Sequence, residues 1–312
     1  MLKNSENLKR LLNQIAPGTV AGLASAFLVD CSSRNFSKNT IKLYTLELGY
    51  FQDWLEPIGA IELTDLTPDV LRHYMLSLAA HRNPGGCHVS YRVIKTFLRW
   101  AWEELEMETR NPIVRVDPPS YKPKPLPGVP IGDIHKMIDA CTTSLATRDR
   151  AILRCLLDTG ARSFEFVALN LADVDLMSGS VLIGHGKGDK SRVVYVGKKC
   201  RRALRSYLRT RDELRPADPL WLTDEGERLE KAGLREILKR RAIGAGLTMI
   251  PGAHDFRRAF AVTMLRNGCD LATLARLMGH SSLQVLMRYL ALLDQDTAEA
   301  HRQHSPVDNA DL

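Results

Sequence analysis

The sequence predicts a mainly α-helical protein of two domains, the second carrying a small antiparallel β-sheet. Apolar residues recur at helical spacing through residues 19–109, where no strand pattern appears. Residues 117–130 contain six prolines. Short apolar runs between residues 174 and 196 flank a glycine-rich turn. A chain of 312 residues is long enough for two ordinary cores.

Residues 19–31 form the first apolar segment. Ser37 opens a second helix, with Ile41, Tyr44, Leu48, Phe51 and Leu55 on one stripe. Thr67 followed by Pro68 is a cap with proline in the first turn, which starts a third helix running to about His81. The sequence Asn83-Pro-Gly-Gly86 breaks the pattern, and a fourth helix is expected from about Cys87 to Glu108. Tyr91, Ile94, Phe97, Leu98 and Trp102 form its core face. The proline-rich stretch reads as an extended spacer with a basic edge at Lys122 and Lys124. Beyond it, helices are expected over 131–140 and 147–159, the latter ended by Gly160. Three short strands follow, at 174–176, 180–184 and 192–196, and then helices over 199–214, 229–245, 255–267, 271–279 and 282–299.

Composition narrows the class. A hydrophobic fraction of 45% and a charged fraction of 25% suit a soluble globular chain. No apolar run reaches about 18 residues, so no membrane span is expected, and residues 1–7 lack the apolar core of a signal peptide. The cysteines (31, 87, 141, 155, 200 and 269) are scattered, with no Cys-x-x-Cys pair. That pattern argues against a zinc site and a disulfide framework, and fits a reducing cytoplasm. Residues 1–118 carry 13 Lys+Arg against 13 Asp+Glu. The remainder carries 30 against 23, and so all of the net charge of +7. A basic half beside a neutral half suggests a polyanion partner.

Chemistry concentrates in that basic half. Arg162 projects from the junction between two helices, with Glu165 close enough to orient it. A guanidinium suits phosphate because it is planar, permanently charged and donates two parallel hydrogen bonds. Lys187 stands at the tip of a Gly-Lys-Gly turn, and Lys190 and Arg192 follow where they could track a phosphate backbone. The turn is not a Walker loop. His254 and Arg257 share a face at a helix N-terminus, which itself favours an anion, and Arg258 excludes a His-x-x-x-His zinc pair. His280 follows Gly279, and Tyr289 lies nine residues further on. Singly, each of these residues would suit an ordinary surface or core.

Together they resemble the tyrosine recombinase (phage integrase) family, including its Xer-like members. The resemblance rests on Thr-Gly-Ala-Arg162-x-x-Glu165, Gly-Lys187-Gly-x-Lys-x-Arg192, His254-x-x-Arg257, and Leu-Met-Gly-His280 with its late tyrosine. Arg258 and Phe164 depart from commoner family choices, and neither removes a catalytic group. The resemblance implies a two-domain DNA clamp. Residues 1–116 would be the helical, SAM-like core-binding domain, 117–130 the linker and 131–312 the catalytic domain. It also implies a chemistry. Tyr289 attacks a DNA phosphodiester, Arg162 and Arg257 hold the nonbridging oxygens, and His280 donates a further hydrogen bond. Lys187 protonates the leaving oxygen, and His254 acts as base or orienter. Lys122, Lys124, Lys190, Arg192 and Arg258 would contact DNA.

The expected product is a 3′-phosphotyrosyl bond, formed without metal, nucleotide or other cofactor. The expected partners are double-stranded DNA bearing a specific site and further copies of the chain, two on a site and four in a synapse. Residues 290–302 would pack on a neighbouring protomer. The expected location is cytoplasmic, on the nucleoid. Alternatives are a non-cleaving architectural protein on the same scaffold, a type IB topoisomerase, and a metal-dependent nuclease, for which Asp173 and Asp175 are the nearest carboxylate pair.

Overall fold

A computed structural model describes residues 18–121, 128–143, 145–184, 191–279, 287, 289, 301–302 and 305–308. The chain divides into two compact units, Met1–Pro123 and Lys124–Leu312.

The first unit has four described α-helices: α1 (Val20–Ser33), α2 (Lys38–Leu55), α3 (Pro68–Ala79) and α4 (Pro84–Glu104). Each begins on a side-chain cap. Thr19, Ser37, Thr67 and Asn83 accept hydrogen bonds from the backbone N–H of Gly22, Thr40, Val70 and Gly86. Such caps satisfy donors that a helix start leaves orphaned. The core closes over Phe27, Leu48, Phe51, Leu71, Ile94, Phe97 and Leu98. Helix α4 begins three residues before the expected start. With Asn83 as cap, Pro84 occupies the first turn, where its missing N–H costs nothing, so Pro-Gly-Gly opens the helix instead of breaking it. The helix ends at Glu104, short of the expected Glu108, and Glu106 adopts a left-handed φ of 47°.

The described ends of the proline-rich stretch are anchored, each to its own unit. Pro119 O lies 3.2 Å from His88 Nδ1 in the first unit. In the second, Val129 N–H donates to Asp255 O at 3.3 Å. A Cβ on Gly128 would come within 2.1 Å of Ala259 N, so this backbone approach requires glycine. Lys122 and Lys124 lie outside the described residues.

The second unit contains α5 (Ile131–Asp139), α6 (Ala146–Thr159), α7 (Ser163–Ala168), β1 (Ser180–Ile183), β2 (Arg192–Tyr195), α8 (Lys198–Leu208), α9 (Lys231–Gly244), α10 (Ala253–Arg266) and α11 (Leu271–Met278). Strands β1 and β2 pair antiparallel, from Ser180 opposite Tyr195 to Ile183 opposite Arg192. The third strand expected at 174–176 is reduced to one bridge between Val174 and Val181. Asp175 explains this, since its carboxylate accepts the N–H of Met177 at 2.7 Å and turns the chain instead of extending it. Trp221, fully buried, stacks between Phe166 and Tyr207 with centroids 4.9 and 5.7 Å away. Helix α6 packs against both α8 and α10 and forms the axis of this unit. The helix expected over 282–299 lies outside the described residues except Met287 and Tyr289, which are helical.

Candidate active site

Gly160 terminates α6 in the left-handed region at φ 56°, and a Cβ there would lie 2.3 Å from the Phe260 ring. Both facts require glycine, and the sharp exit delivers Arg162 to the start of α7. The Arg162 backbone N–H donates to Glu165 Oε2 at 2.8 Å, and its Nη1 donates to Oε1 at 2.9 Å. Arg192, from β2, sends a two-pronged fork into the same carboxylate, Nη1 to Oε1 at 3.0 Å and Nη2 to Oε2 at 2.7 Å. Glu165 thus receives four hydrogen bonds with its side chain 0% exposed. That fills the acceptor capacity of a carboxylate. Burial alone would raise its pKa, but the Arg192 and Arg162 bonds and charges outweigh burial and hold it at about 2.

Arg192 was expected on a DNA backbone. Its side chain is 10% exposed, and its remaining nitrogen, Nε, donates to Leu277 O at 2.8 Å. Each of the three guanidinium nitrogens thus donates one bond within the protein, and the side chain faces Glu165 and the end of α11.

Arg257, the fifth residue of α10, is 2% exposed. Its Nη1 donates to Gly160 O at 2.5 Å and its Nη2 to Met278 O at 2.6 Å, which ties the exits of α6 and α11 to one cation. Burial, then the charges of Arg162 and Arg192, pull its pKa down to about 10, so it stays protonated at neutral pH. Gly279 closes α11 at φ 63°, and its carbonyl lies 3.5 Å from Arg162 Nη2.

Tyr289 is 8% exposed and packs with Phe260, Leu274 and Met278. It is near enough to Arg257 for the two to interact electrostatically. His254 stands half in solvent at the start of α10. Partial burial of its ring, then Arg258 and Arg257, push its pKa below the usual histidine range, which favours the neutral imidazole. Arg258 donates to Asp255 Oδ1 at 2.8 Å with its side chain 23% exposed. The described residues therefore bring together Arg162, Glu165, Arg192, Arg257, His254 and Tyr289. Lys187, Lys190 and His280 lie outside them.

The carboxylates nearest to a metal pair are committed to turns. Asp173 accepts the Asn170 N–H at 2.8 Å, and Asp175 accepts Ser178 Oγ–H at 2.6 Å. Sequence reasoning missed a basic row in the first unit. On α4, Arg92, Lys95 and Arg99 line a hollow of about 530 Å³ with His88, Tyr91 and Trp100. The signal was available as cations at i, i+3 and i+7.

Among the described residues, arginines converge beside a buried tyrosine, an arrangement suited to a phosphodiester attacked by a phenol. The chain belongs to the phage integrase family, whose model matches residues 131–296. It is 31% identical to the tyrosine recombinase XerD of Pseudomonas putida over 281 residues, covering 88% of this chain and 93% of that protein. The tyrosine recombinase XerC of Oceanobacillus iheyensis is 30% identical, with the same 88% and 93% coverage. The fold matches that of the XerH site-specific recombinase, solved with palindromic difH substrate in a post-cleavage complex. The TM-score is 0.73 at 21% identity, over 88% of this chain and 82% of that one. The chain is thus an Xer-like tyrosine site-specific recombinase.

Proposed function

We propose that Tyr289 is the nucleophile and that Arg162 and Arg257 hold the phosphate it attacks. The observation that carries this reading is the placement of a buried, protonated Arg257 in electrostatic reach of Tyr289, beside an Arg162 locked by Glu165. The phenolic oxygen forms a bond to phosphorus and gives up its proton, for which His254, biased to its neutral form, is the acceptor or orienter. The bond from phosphorus to the 5′-oxygen breaks, and that oxygen takes a proton from Lys187. General acid help of this kind is typically worth about 10²–10⁴-fold. His280 adds a donor to the nonbridging oxygens. The 3′-phosphotyrosyl product retains the phosphodiester's energy, so reversal of the same steps rejoins strands.

The substrate is double-stranded DNA with a specific site, contacted by Lys122, Lys124, Lys190 and Arg258 and by the α4 row Arg92, Lys95 and Arg99. Two protomers occupy a site and four form the synapse, with residues 290–302 docking on a neighbour. The test is a suicide duplex nicked beside the scissile phosphate, which traps the covalent protein–DNA adduct. Wild-type protein yields the adduct with EDTA present, and Tyr289→Phe yields none. An adduct from Tyr289→Phe, or loss of the wild-type adduct in EDTA, overturns the assignment.

A further inference from the structure

A concentration of positive charge unused by the cleavage chemistry lies along α6 and α8. The two helices run antiparallel. Gly197 N–H donates to Asp158 Oδ2 at 2.6 Å, and Cys200 Sγ lies 2.9 Å from Cys155 Sγ. Further along, a hollow of about 560 Å³ opens between Arg150 and Arg154 of α6 and Lys199, Arg202 and Ser206 of α8. Asp139 is the carboxylate in its lining, and Thr147 adds a hydroxyl. A second hollow of about 480 Å³ shares Arg202 and Ser206 and is otherwise lined by Lys198, Arg201, Arg205 and Arg209. Among the described residues, none of these eight cations pairs with a carboxylate. Arg201 and Arg205 donate to the carbonyls of Met177 and Leu176 at 2.6 and 2.7 Å, which fixes their heads without neutralising them.

The fold does not require this charge. Helix α8 is held by its buried face, Cys200, Ala203, Leu204 and Tyr207. Its outer face carries lysines in the first turn, where the helix dipole disfavours cations, and like charges at i, i+4. Local rules broken without a packing gain mark a surface kept for a partner.

We infer that the groove between α6 and α8 binds the phosphodiester backbone of a second DNA duplex, distinct from the one held at Tyr289. Arginine forks, lysines and hydroxyls suit phosphate oxygens. The lining contains no exposed aromatic or large aliphatic side chain of the kind that anchors a protein partner. From Lys199, close to the bond between Gly197 and Asp158, the groove runs away from the end of α6 that presents Arg162 as far as Arg150, nine residues or about 14 Å before Thr159. Two opposed rows of cations cradle one strand and leave the catalytic arginines free. The inference that this duplex is a second recombination partner rests on the recombinase reading. The phosphate contact itself does not.

The test compares wild-type full chain with Arg154→Ala/Lys199→Ala/Arg202→Ala, each loaded with the nicked duplex as covalent adduct. A labelled duplex of unrelated sequence is then titrated at several salt concentrations. Each lost phosphate contact should lower the slope of log K against log salt by about 0.9, so the triple variant loses about 2 to 3. Its adduct yield is expected to match wild type. An unchanged slope overturns the proposal, as does an adduct yield that falls with the slope, which would merge groove and cleft. Variant-sensitive binding of polyglutamate that outcompetes the duplex would reassign the groove to an acidic protein. Thermal unfolding checks the fold, and Lys199→Gln/Arg202→Gln repeats the comparison with milder changes. Should wild type form no adduct, the recombinase reading fails while the slope, measured on the unloaded chain, still decides the groove.

Discussion

Replacing Arg192 by alanine removes both prongs of the fork into Glu165 and the bond to Leu277 O, and leaves a carboxylate with no exposed surface short of two donors. Two routes size the effect. Breaking a buried ion pair by deleting one partner costs about 3–5 kcal/mol. Linkage gives a similar figure. Glu165 sits at about 2 in the folded chain against about 4.3 for an ordinary glutamate, a gap of roughly two units and so about 3 kcal/mol. The sign follows from the depressed pKa. That stability is present above about pH 4.3 and is lost as pH falls toward 2. In Arg192→Ala the carboxyl pKa rises, so the acid limb of the stability profile moves to higher pH. Chemical denaturation from pH 3 to pH 8 reads both effects. Cleavage should fall by about 10²-fold or more, because Arg162 loses the group that fixes its orienter. Lysine at 192 restores charge without the fork, so Arg192→Lys should recover part of the stability and little of the rate. A variant within about 1 kcal/mol of wild type, with an unmoved acid limb, would refute the idea that Arg192 holds Glu165.

Gly160→Ala should destabilise by more than about 1 kcal/mol, since the added methyl meets Phe260 at 2.3 Å and the backbone is left-handed; a neutral effect in denaturant titration would contradict that packing. The rate of adduct formation should keep its neutral-pH value into mildly acid solution, because His254 protonates below the usual histidine range; His254→Gln should remove that acid limb from single-turnover profiles. Lys187→Ala should slow cleavage by about 10²–10⁴-fold on a normal duplex and far less on one with sulfur in place of the leaving 5′-oxygen, since a thiolate departs without a proton. Equal losses on both duplexes would remove Lys187 from that role.

Much of this was legible in the sequence because it is local. The stripe on α2, the Thr67-Pro68 start of α3 and the stop at Gly160 each follow from residues within a few positions of one another. The order of charged groups carried the family. What escaped depends on closure through space. Arg192 reaches a carboxylate 27 positions away, and nothing in its neighbourhood separates an inward fork from an outward phosphate contact. The start of α4 turned on whether Asn83 would cap before Pro84 could break. The anchored ends of the proline stretch depend on partners in α4 and α10.

The acceptors chosen for Arg257 have a consequence for charge balance. Gly160 O and Met278 O are main-chain dipoles and neutralise nothing. Taken by themselves, the side chains of Arg162, Arg192, Arg257 and Glu165 sum to a surplus of two positive charges. A phosphodiester attacked by a phenolate passes through a species carrying two negative charges. A carboxylate in place of either carbonyl would position Arg257 equally well and leave one of those charges unmatched.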